Sequence, residues 1–326
     1  MQQTWYDHPV WIVTEPDLAR AVLTDSRFGK DPALAPKRWD ARTAGLEPTA
    51  AEQMSVTTLD GEPHTRLRKA FAPLFSAKKM RAFYPRMQAI AAELLGKLPN
   101  EVDLIDDFTT RYPLAVLCEL LGIPEHHLGT AMDACRLMHV DYPANVPAAM
   151  SGFAALAAEA TAELRLPDGS TERDRTYQIF TILFAGQLTT DLAAGFLVAR
   201  ILSDTNESAD ELVRETLREH PPAPFTLWRF TTTDVEIAGT SLPKGSPVLV
   251  DLTRAPDLVF GYGPHFCIGA QLAQLELKAL AETFLADYPD ASLTAPLTHS
   301  SPGGIMGSRL HALPIRLASA GPPRRS

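Results

Sequence analysis

The chain has 326 residues, of which 45% are hydrophobic, and a formal net charge of −9 at pH 7. Such a length can bury the core of one large domain, and the negative charge argues against nucleic acid as a partner. The three cysteines, Cys118, Cys135 and Cys267, are too few and too scattered for a disulfide framework or a zinc site, which favours a reducing cytoplasm. No basic stretch followed by an apolar run comes after Met1, so we expect neither a secretion signal nor a membrane anchor.

The N-terminal part of the chain predicts a strand, a helix and a long loop. Residues 10–13 are apolar and form a short strand candidate, and a helix is expected over about residues 15–23. Residues 27–48 are rich in proline, glycine and charge, which is typical of a loop.

A second helix is predicted after Asp60, because Pro63 suits the first turn of a helix. His64 and Arg68 are four residues apart in it, so both side chains project from one face. Two such donors can bind an anion such as a carboxylate. The same spacing is common on solvated surfaces, and the basic residues that follow are explained more simply as an exposed face than as a dock for an acidic protein.

The middle of the chain is predicted to be mainly helical. A helix over residues 104–122 contains Pro113 and stops at Gly122. Residues 177–202 form the most apolar long segment, and its length approaches that of a membrane span. The polar residues that interrupt it are Gln178, Gln187, Thr189, Thr190 and Asp191. Their presence favours a buried central helix over a membrane span.

The centre of this apolar segment reads Ala185-Gly186-Gln187-Leu188-Thr189-Thr190. A glycine here lets another group approach the helix closely. Threonine hydroxyls can bond back to the preceding turn and bend the helix.

The last third of the chain begins with a helix signal. Ser208 and Glu211 have the spacing of a capping box, and the helix is expected to end near His220 before a pair of prolines. Glu215 and Arg218 are three residues apart in it and can form an ion pair.

Strands are predicted after this helix. Residues 235–237 and 247–250 read as the strands of a hairpin, with turns at Gly239 and over residues 243–245. Residues 310–317 predict a last strand of the edge type.

Residues 260–269 read Phe-Gly-Tyr-Gly-Pro-His-Phe-Cys-Ile-Gly. The glycines Gly261, Gly263 and Gly269 allow positive φ, and from Ile268 onward the apolar residues recur with helical spacing until Pro289. Cys267 is therefore expected at a helix N-terminus, where the helix dipole and free N–H groups favour a thiolate. A thiolate is a ligand for a soft metal, haem iron included, although a lone cysteine is more often an inert core residue.

This stretch resembles the haem-binding signature of the cytochrome P-450 family, Phe-Gly-x-Gly-x-His-x-Cys-x-Gly, at every fixed position. The resemblance covers nearly the whole chain. It implies a mainly α fold with a small mixed β-sheet, in a single domain over residues 1–320, with residues 321–326 as a disordered tail. A haem b would lie between the long central helix and the cysteine loop, with Cys267 as the axial ligand of the iron.

The resemblance also assigns residues to the cofactor. His64 and Arg68 match a His-x-x-x-Arg helix that reaches the haem propionates, and Arg229 matches a further propionate-binding arginine. With His265 from the signature, these residues are expected to surround the two propionates. The remaining cofactor-binding residues that the motifs imply are Phe260, Gly261, Gly269 and Ala185.

Other positions match the family's structural and substrate-binding motifs. Glu215 and Arg218 correspond to its Glu-x-x-Arg, which implies a buried structural ion pair behind the haem loop. Phe225 and Leu227 lie where family members border the substrate pocket. Gly186, Thr189 and Thr190 belong to a segment that resembles the oxygen-activation motif Ala-Gly-x-acid-Thr, which makes them the expected catalytic residues.

The chain departs from the family's pattern in two ways. Leu188 stands where the motif has an acid, so the usual route of proton delivery is in doubt. The chain is also short, with material missing before Trp5, near residues 166–175 and 204–206, and between Leu252 and Thr253. In the family, an arginine in the segment between the positions of Leu252 and Thr253 completes a triad with the Glu-x-x-Arg pair, and this chain has no counterpart of it. The chain is either a compact member or one without some loops, and we expect a break at this join, with a Cα separation well above ~3.8 Å.

The resemblance implies a soluble, cytoplasmic haem-thiolate monooxygenase. It would oxidise a small organic molecule, expected to be a secondary metabolite, with O₂ and electrons from a separate ferredoxin-type donor, and without nucleic acid or membrane as partners. One alternative is a haem-thiolate enzyme for oxidative coupling, peroxide-driven or rearrangement chemistry, which the missing acid would tolerate. Another is a non-catalytic helper of a partner enzyme, against which the intact Cys267 and Gly269 argue.

Overall fold

The computed structural model describes residues 2–5, 8–37, 48–138, 144–162, 164–203, 206–300 and 307–318. Within these residues helices predominate over short strands, as the sequence predicts. The chain divides into two compact units, the first comprising residues 1–73, 164–178 and 223–268 and the second residues 74–163, 179–222 and 269–326. The predicted limits of a single domain, at residues 320 and 321, lie outside the described residues.

The helices, numbered in chain order, are α1 (Pro16–Thr24), α2 (Gly61–Phe71), α3 (Ala77–Leu95), α4 (Arg111–Leu121), α5 (Leu128–Leu137), α6 (Val146–Glu159), α7 (Glu172–Ile201), α8 (Ala209–Glu219) and α9 (Ala270–Asp287). The strands are β1 (Gln2–Trp5), β2 (His8–Val13), β3 (Phe28–Gly29), β4 (Glu101–Asp103), β5 (Arg229–Thr231), β6 (Val235–Ile237), β7 (Thr240–Leu242), β8 (Pro247–Val250), β9 (Ser292–Leu293), β10 (His299–Ser300), β11 (Arg309–Leu310) and β12 (Pro314–Arg316).

A five-stranded sheet in the order β1-β2-β8-β5-β3 forms the centre of the first unit. Strands β2 and β8 are parallel, and the other neighbouring strands are antiparallel. All four residues of β8 are buried, as expected for a strand in the middle of a covered sheet. The strand predicted over residues 10–13 lies within β2.

Helix α1 covers one side of this sheet. Pro16 is its first residue, where the missing N–H leaves no helical hydrogen bond unmade. Its buried residues Ala19, Val22 and Leu23 recur at helical spacing and share one apolar cluster with Val248 of β8. The predicted helix over residues 15–23 is confirmed to within one residue at each end.

The predicted hairpin is only partly right. Strand β6 pairs with β7, and the two residues between them, Ala238 and Gly239, have φ of 48° and 73°. Positive φ at both central residues suits the twist of a tight two-residue hairpin turn. Strand β8, predicted as the partner of β6, instead pairs with β2 and β5, because its all-buried pattern requires a central position.

Helices form most of the second unit. Helix α9 packs along α3, with Leu277, Leu280 and Phe284 of α9 and Met80 and Met87 of α3 fully buried. Helix α8 begins with the predicted capping box, in which Ser208 and Glu211 bond reciprocally, and it ends at Glu219 next to His220.

Helix α4 begins later than predicted. Residues Ile105–Thr109 form one π-helical turn, and the α-helix starts at Arg111, which places Pro113 in its first turn where an N–H has no helical acceptor. Gly122 ends the helix at a φ of 68°, as the predicted stop requires.

Two small sheets complete the second unit, β4-β12-β9 and β10-β11. The prediction of a single edge strand over residues 310–317 is wrong, because β11 and β12 belong to different sheets. Between them the backbone N–H of Leu313 donates to Asp103 Oδ1 at 2.8 Å, and its carbonyl oxygen accepts from the Leu104 N–H at 3.1 Å. These bonds stabilise a turn between β11 and β12, where one continuous strand was expected. Strand β12 is the middle strand of the sheet β4-β12-β9.

Helix α7 is the predicted long apolar helix. Among the described residues it has the length and composition of a membrane span, but 67% of its most apolar stretch is buried inside the protein. That burial is typical of the core helix of a folded domain. Its first residues, up to Gln178, belong to the first unit and the rest to the second.

The join between Leu252 and Thr253, where we expect a break, lies in a regular turn, and the expectation stays a prediction. Both residues lie in one 3₁₀ turn, Leu252–Arg254, which the Ala255 N–H closes by donating to the Leu252 carbonyl oxygen at 3.1 Å. Asp251 caps this turn by accepting from the Thr253 N–H at 3.0 Å. The join at residues 204–205 lies outside the described part of the chain.

Candidate functional site

The cysteine loop lies at the end of the first unit. The Cys267 N–H donates to the Phe260 carbonyl oxygen at 2.8 Å, and Gly261 and Gly263 have φ of 74° and 71°. A Cβ atom on Gly263 would lie 2.8 Å from Thr24 Cγ2, so this glycine is required where the loop packs against the end of α1. Gly269 has φ of −88° and is the N-cap of α9, so it does not use the left-handed freedom that the sequence analysis attributed to it.

Cys267 differs from the other two cysteines. It is exposed, whereas Cys118 and Cys135 are buried, and burial raises the pKa of each of those thiols to about 12. No three histidine, cysteine, aspartate or glutamate side chains of the described residues are grouped for a metal ion.

Several histidine and arginine side chains lie near this loop within the first unit. His64 of α2 is 2% exposed, and its ring stacks on that of His265 with the ring centroids 4.0 Å apart. Arg229 of β5 is 4% exposed and donates from Nη1 to the Phe28 carbonyl oxygen at 3.1 Å. Asp60 Oδ1 lies 3.0 Å from His265 Nε2. The structure thus brings together His64, Arg229 and His265, three residues that the sequence analysis assigned to the haem propionates.

The pKa shifts in this cluster indicate a shortage of negative charge. The pKa of His64 is lowered to about 4, first by burial and then by the positive charges of His265, Arg68 and Arg229, with Asp60 opposing them. Burial also lowers the pKa of Arg229, which Asp60 opposes, and that of Arg68, which the negative charge of Cys267 opposes. The last interaction places Arg68 within electrostatic range of the Cys267 sulfur.

Asp60 does not neutralise the cluster by itself. Burial would raise the pKa of this carboxyl, but hydrogen bonds from His265 and from the Lys30 N–H outweigh that effect and lower it. His64 Nε2 and Arg229 Nε are both buried and have no hydrogen-bond partner among the described residues. A ligand with two carboxylates fits this donor set, since it would supply the missing charge and the missing acceptors.

The segment expected to activate oxygen lies on α7 in the second unit. Ala185 is exposed, and Thr189, one turn farther on, donates from Oγ1 to the Ala185 carbonyl oxygen at 2.9 Å. Gly186 lies against α4, because a Cβ atom there would be 3.0 Å from Leu117 Cδ1. Thr190 is buried on another face of the helix. The two threonines therefore point to different surroundings, which the sequence motif does not indicate.

Glu276 and Asp191 are buried acids that the sequence analysis missed. Thr190 Oγ1 lies 3.5 Å from Glu276 Oε2, and Glu276 is 1% exposed on α9. Asp191, 2% exposed, accepts from Thr110 at 2.9 Å and pairs with Arg309 at 2.9 Å. A signal for Glu276 was present in the sequence, since it is a charged residue four positions from Leu272 and from Leu280 on an apolar helix face.

The ion pair of α8 forms, but it is not buried as expected. Arg218 Nε lies 2.6 Å from Glu215 Oε2, and the Arg218 side chain is 48% exposed. Glu215 also pairs with Arg214, and Arg218 with Glu219. All these residues lie on the polar face of α8, opposite its buried Leu212, Val213 and Leu217, so the helix turns the pair toward solvent.

The expected substrate-pocket residues lie in the first unit. Phe225 forms a β-bridge with Asp251, and Leu227 lines a cavity of about 10 Å³ with Lys30 and Phe230. Such a volume holds roughly one water molecule. A larger cavity of about 270 Å³ lies in the second unit, between Phe196, His220 and Leu310.

Known proteins resemble the chain in sequence over almost its whole length. A family model described as cytochrome P450 matches residues 209–257. The chain is 34% identical to cytochrome P-450 monooxygenase DoxA of Streptomyces sp. (strain C5), over 95% of the chain and 89% of that protein. It is 28% identical to the mycinamicin IV hydroxylase/epoxidase of Micromonospora griseorubida, over 90% of the chain and 85% of that protein.

The structure is also similar to a solved one. The crystal structure of CYP105P1 in complex with filipin I matches with a TM-score of 0.84 and 25% identity, over 98% of the chain and 92% of that structure. The alignment with the DoxA protein extends over 377 residues, more than the length of the chain, so that relative has internal segments that the chain lacks.

Proposed function

The chain belongs to the cytochrome P450 family and is an oxidoreductase of the monooxygenase type, and from this premise we propose that Cys267 binds the iron of a haem b. The observation that supports this most strongly is the setting of Cys267. It is the exposed cysteine of the three, held in a glycine-dependent loop near the buried nitrogens His64 Nε2 and Arg229 Nε, which have no hydrogen-bond partner among the described residues. When bound, the haem supplies a redox-active iron at which dioxygen is activated for insertion of one oxygen atom into a substrate.

The first unit would hold this cofactor by its two propionates. His64, Arg68, Arg229 and His265 are the proposed partners, since each is a donor whose charged form is disfavoured by burial. A dianion in the cluster would favour the charged forms. Phe260, Gly261 and Gly269 would shape the loop that presents the Cys267 sulfur.

The middle of α7 would act on the reacting side of the cofactor. Ala185 is exposed and offers a surface with little side-chain bulk for a flat group, whereas Gly186 would act by letting α7 pack closely against Leu117 of α4. The Thr189 hydroxyl already donates to the Ala185 carbonyl oxygen, which leaves its oxygen lone pairs free to accept a proton or a hydrogen bond. Thr190 would act from the buried face of the helix.

The substrate is proposed to be a small organic molecule, bound near Phe225 and Leu227, and of the secondary-metabolite class. A relative is described as a hydroxylase and epoxidase, and a similar structure holds filipin I, which supports hydroxylation or a related oxidation. Electrons would come from a separate ferredoxin-type protein. A cytoplasmic location is proposed on the same grounds.

One observation favours a second chemistry. Leu188 cannot carry a proton at the position next to Thr189 where related motifs have an acid. Peroxide-driven turnover, oxidative coupling or rearrangement depends less on delivered protons, so such a reaction is the alternative proposal.

The proposal predicts that the reduced purified protein gives a thiolate-type carbon-monoxide difference band. The Cys267→Ser variant should lose this band, because a serine hydroxyl is a poor ligand for soft iron. Cys118→Ala is the matched control and should keep it, since Cys118 is a buried thiol of the second unit. A band that survives in Cys267→Ser would show that Cys267 is not the ligand.

A further inference from the structure

The cavity of about 270 Å³ lies wholly within the second unit. Its walls are the C-terminal end of α7, the C-terminal end of α8 and the strands β10 and β11. The residues that line it are different from those proposed to bind the cofactor, to act in catalysis or to border the substrate. Its volume is near the lower end of the range for small-molecule sites, roughly 300 to 1,000 Å³. The second unit therefore has space for a ligand that the proposed function does not use.

Backbone contacts beside the cavity fix its walls relative to one another. The Gly307 N–H donates to the Pro222 carbonyl oxygen at 2.9 Å, and a Cβ atom on Gly307 would lie 2.4 Å from the Pro221 carbonyl oxygen. A glycine is thus required where the chain that enters β11 passes the end of α8. The His311 N–H donates to the Thr298 carbonyl oxygen at 2.9 Å, which joins β11 to the start of β10. The cavity is therefore formed by the backbone and does not need a ligand to create it.

Aromatic rings form one wall of this cavity. The rings of Phe196 and His220 are nearly parallel, with their centroids 4.0 Å apart and an angle of 6° between their planes. The His299 ring meets Phe196 edge-on at 6.2 Å. Burial is the main cause of a lowered pKa for His220, so its ring is neutral at pH 7 and has one N–H donor and one nitrogen acceptor. Such a wall favours a flat aromatic ligand, because aromatic rings attract one another in stacked and edge-on arrangements.

Thr216 adds an unsatisfied hydroxyl to the lining. It is 1% exposed on α8, and its Oγ1 has no hydrogen-bond partner among the described residues. A threonine inside a helix often bonds back to the preceding turn, which Thr216 does not do in the described part of the chain. A buried hydroxyl without a partner is unfavourable for folding. A ligand that carries a hydroxyl group would supply the missing bond.

The charge at the cavity is compensated, which argues against an anionic ligand. Arg200 Nε and Nη2 donate to the two carboxylate oxygens of Glu207, each at 2.8 Å, and Nη1 donates to Glu219 Oε2 at 2.8 Å. Every nitrogen of this guanidinium therefore already donates to a carboxylate. A phosphate or carboxylate at Arg200 would have to compete with Glu207 and Glu219, and it would be repelled by both. A neutral ligand avoids that repulsion and the free-energy cost of burying a charge.

We propose that this cavity is a second ligand site, which binds a neutral, flat aromatic molecule that carries a hydroxyl group. The ligand's ring lies against the wall of Phe196 and His220, and its hydroxyl forms a hydrogen bond with Thr216 Oγ1. Leu297 and Leu310 provide apolar contacts. The site goes beyond the proposed function and does not depend on it, because the second unit supplies every residue that the argument uses.

The first test uses 1-naphthol, a neutral two-ring aromatic molecule with one hydroxyl. Isothermal titration calorimetry of the purified protein at pH 7 should show that it binds. Ala199→Phe places a ring in the cavity without removing a polar group, so it should weaken binding by about tenfold or more. Ala154→Phe makes the same change at an exposed position of α6 and is the matched control, which should change the affinity by less than about twofold.

The second test concerns the hydrogen bond and the charge of the ligand. Thr216→Val keeps the shape of the side chain and removes a hydroxyl that has no partner among the described residues, so the fold should stay as stable. This variant should bind 1-naphthol about fivefold more weakly, the scale of one neutral hydrogen bond, and should bind naphthalene as the wild type does. The anion 1-naphthoate should bind to the wild type about tenfold or more weakly than 1-naphthol.

Four results would overturn the proposal. The first is a wild type that binds no 1-naphthol up to its solubility limit, and the second is equal affinity in the wild type and Ala199→Phe, which would place the ligand elsewhere. The third is an equal loss of 1-naphthol and naphthalene binding in Thr216→Val, and the fourth is tighter binding of 1-naphthoate than of 1-naphthol. The carbon-monoxide band is measured separately, so its absence would contradict the proposed function without affecting the result at this cavity.

Discussion

The Arg229 guanidinium is buried on β5, and its Nε has no partner among the described residues. If it binds a propionate, Arg229→Ala removes a charged hydrogen bond in a dry site. Haem dissociation from the reduced or oxidised protein should then accelerate by about tenfold or more, measured by transfer of haem to an excess of apomyoglobin.

Arg218→Ala is the control for that experiment. Arg218 is half exposed on α8 and, among the described residues, pairs with its helical neighbours alone, so its loss should change neither haem retention nor the unfolding midpoint measurably. An Arg229→Ala variant that retains haem as firmly as Arg218→Ala would remove Arg229 from the cofactor site.

His64 predicts how the haem-free protein responds to acid. Its pKa falls from 6.5 to about 4 on folding, mainly because of burial. Between these two values the unfolded chain binds a proton that the folded chain does not, so stability decreases as the pH is lowered from about 6.5 to about 4. His64→Gln should flatten this part of the stability profile in urea titrations, and the haem-loaded protein should show a weaker loss than the haem-free one.

At the scale of elements, local patterns carried most of what could be predicted. The capping box of α8 and the glycine stop of α4 depend on contacts within a few residues, so the sequence contains them directly. Strand β8 lies between β2 and β5, and β2 is more than 200 residues away from it in the chain. The periodicity of a strand does not indicate which distant strand it pairs with. The exposure of Glu215 and Arg218 was missed for a similar reason, since a motif gives spacing but not the face that neighbours cover.

The end of α4 provides a test at this scale. Gly122 has φ of 68°, and a Cβ atom on it would lie 2.0 Å from Thr161 Oγ1, whereas Gly61 has φ of 62° with nothing within 4 Å. Gly61→Ala should therefore cost only the left-handed backbone strain, about 1 kcal/mol in free energy of unfolding. Gly122→Ala should cost more, and a further Thr161→Ala change should recover part of the difference. Equal losses of unfolding free energy in the two single variants would show that the Thr161 side chain moves aside without lowering the stability.

At the scale of the whole molecule, each unit is assembled from three separate stretches of chain, and the candidate site shows the consequence. The sequence predicted that His64, Arg229 and His265 come together, because a family motif marked each one. It could not predict that Glu276 approaches Thr190, since the sequence of neither helix indicates that the two residues come into contact. The resemblance indicated that an acid is missing at Leu188. The fold places another acid, Glu276 of α9, near Thr190 of α7.

The buried acid also makes a prediction about the stability of the whole chain. The folded pKa of Glu276 is raised above the unfolded value of 4.5, so above pH 4.5 the unfolded chain releases a proton that the folded chain keeps. Stability is therefore lost as the pH rises from 4.5 toward the folded pKa. Glu276→Gln does not ionise in either state, so its free energy of unfolding should exceed that of the wild type at pH 7, and this difference should shrink toward pH 4. Urea unfolding of the two proteins at the two pH values measures it. A wild type that is as stable as Glu276→Gln at pH 7 would mean that the carboxyl is ionised or paired in the folded protein.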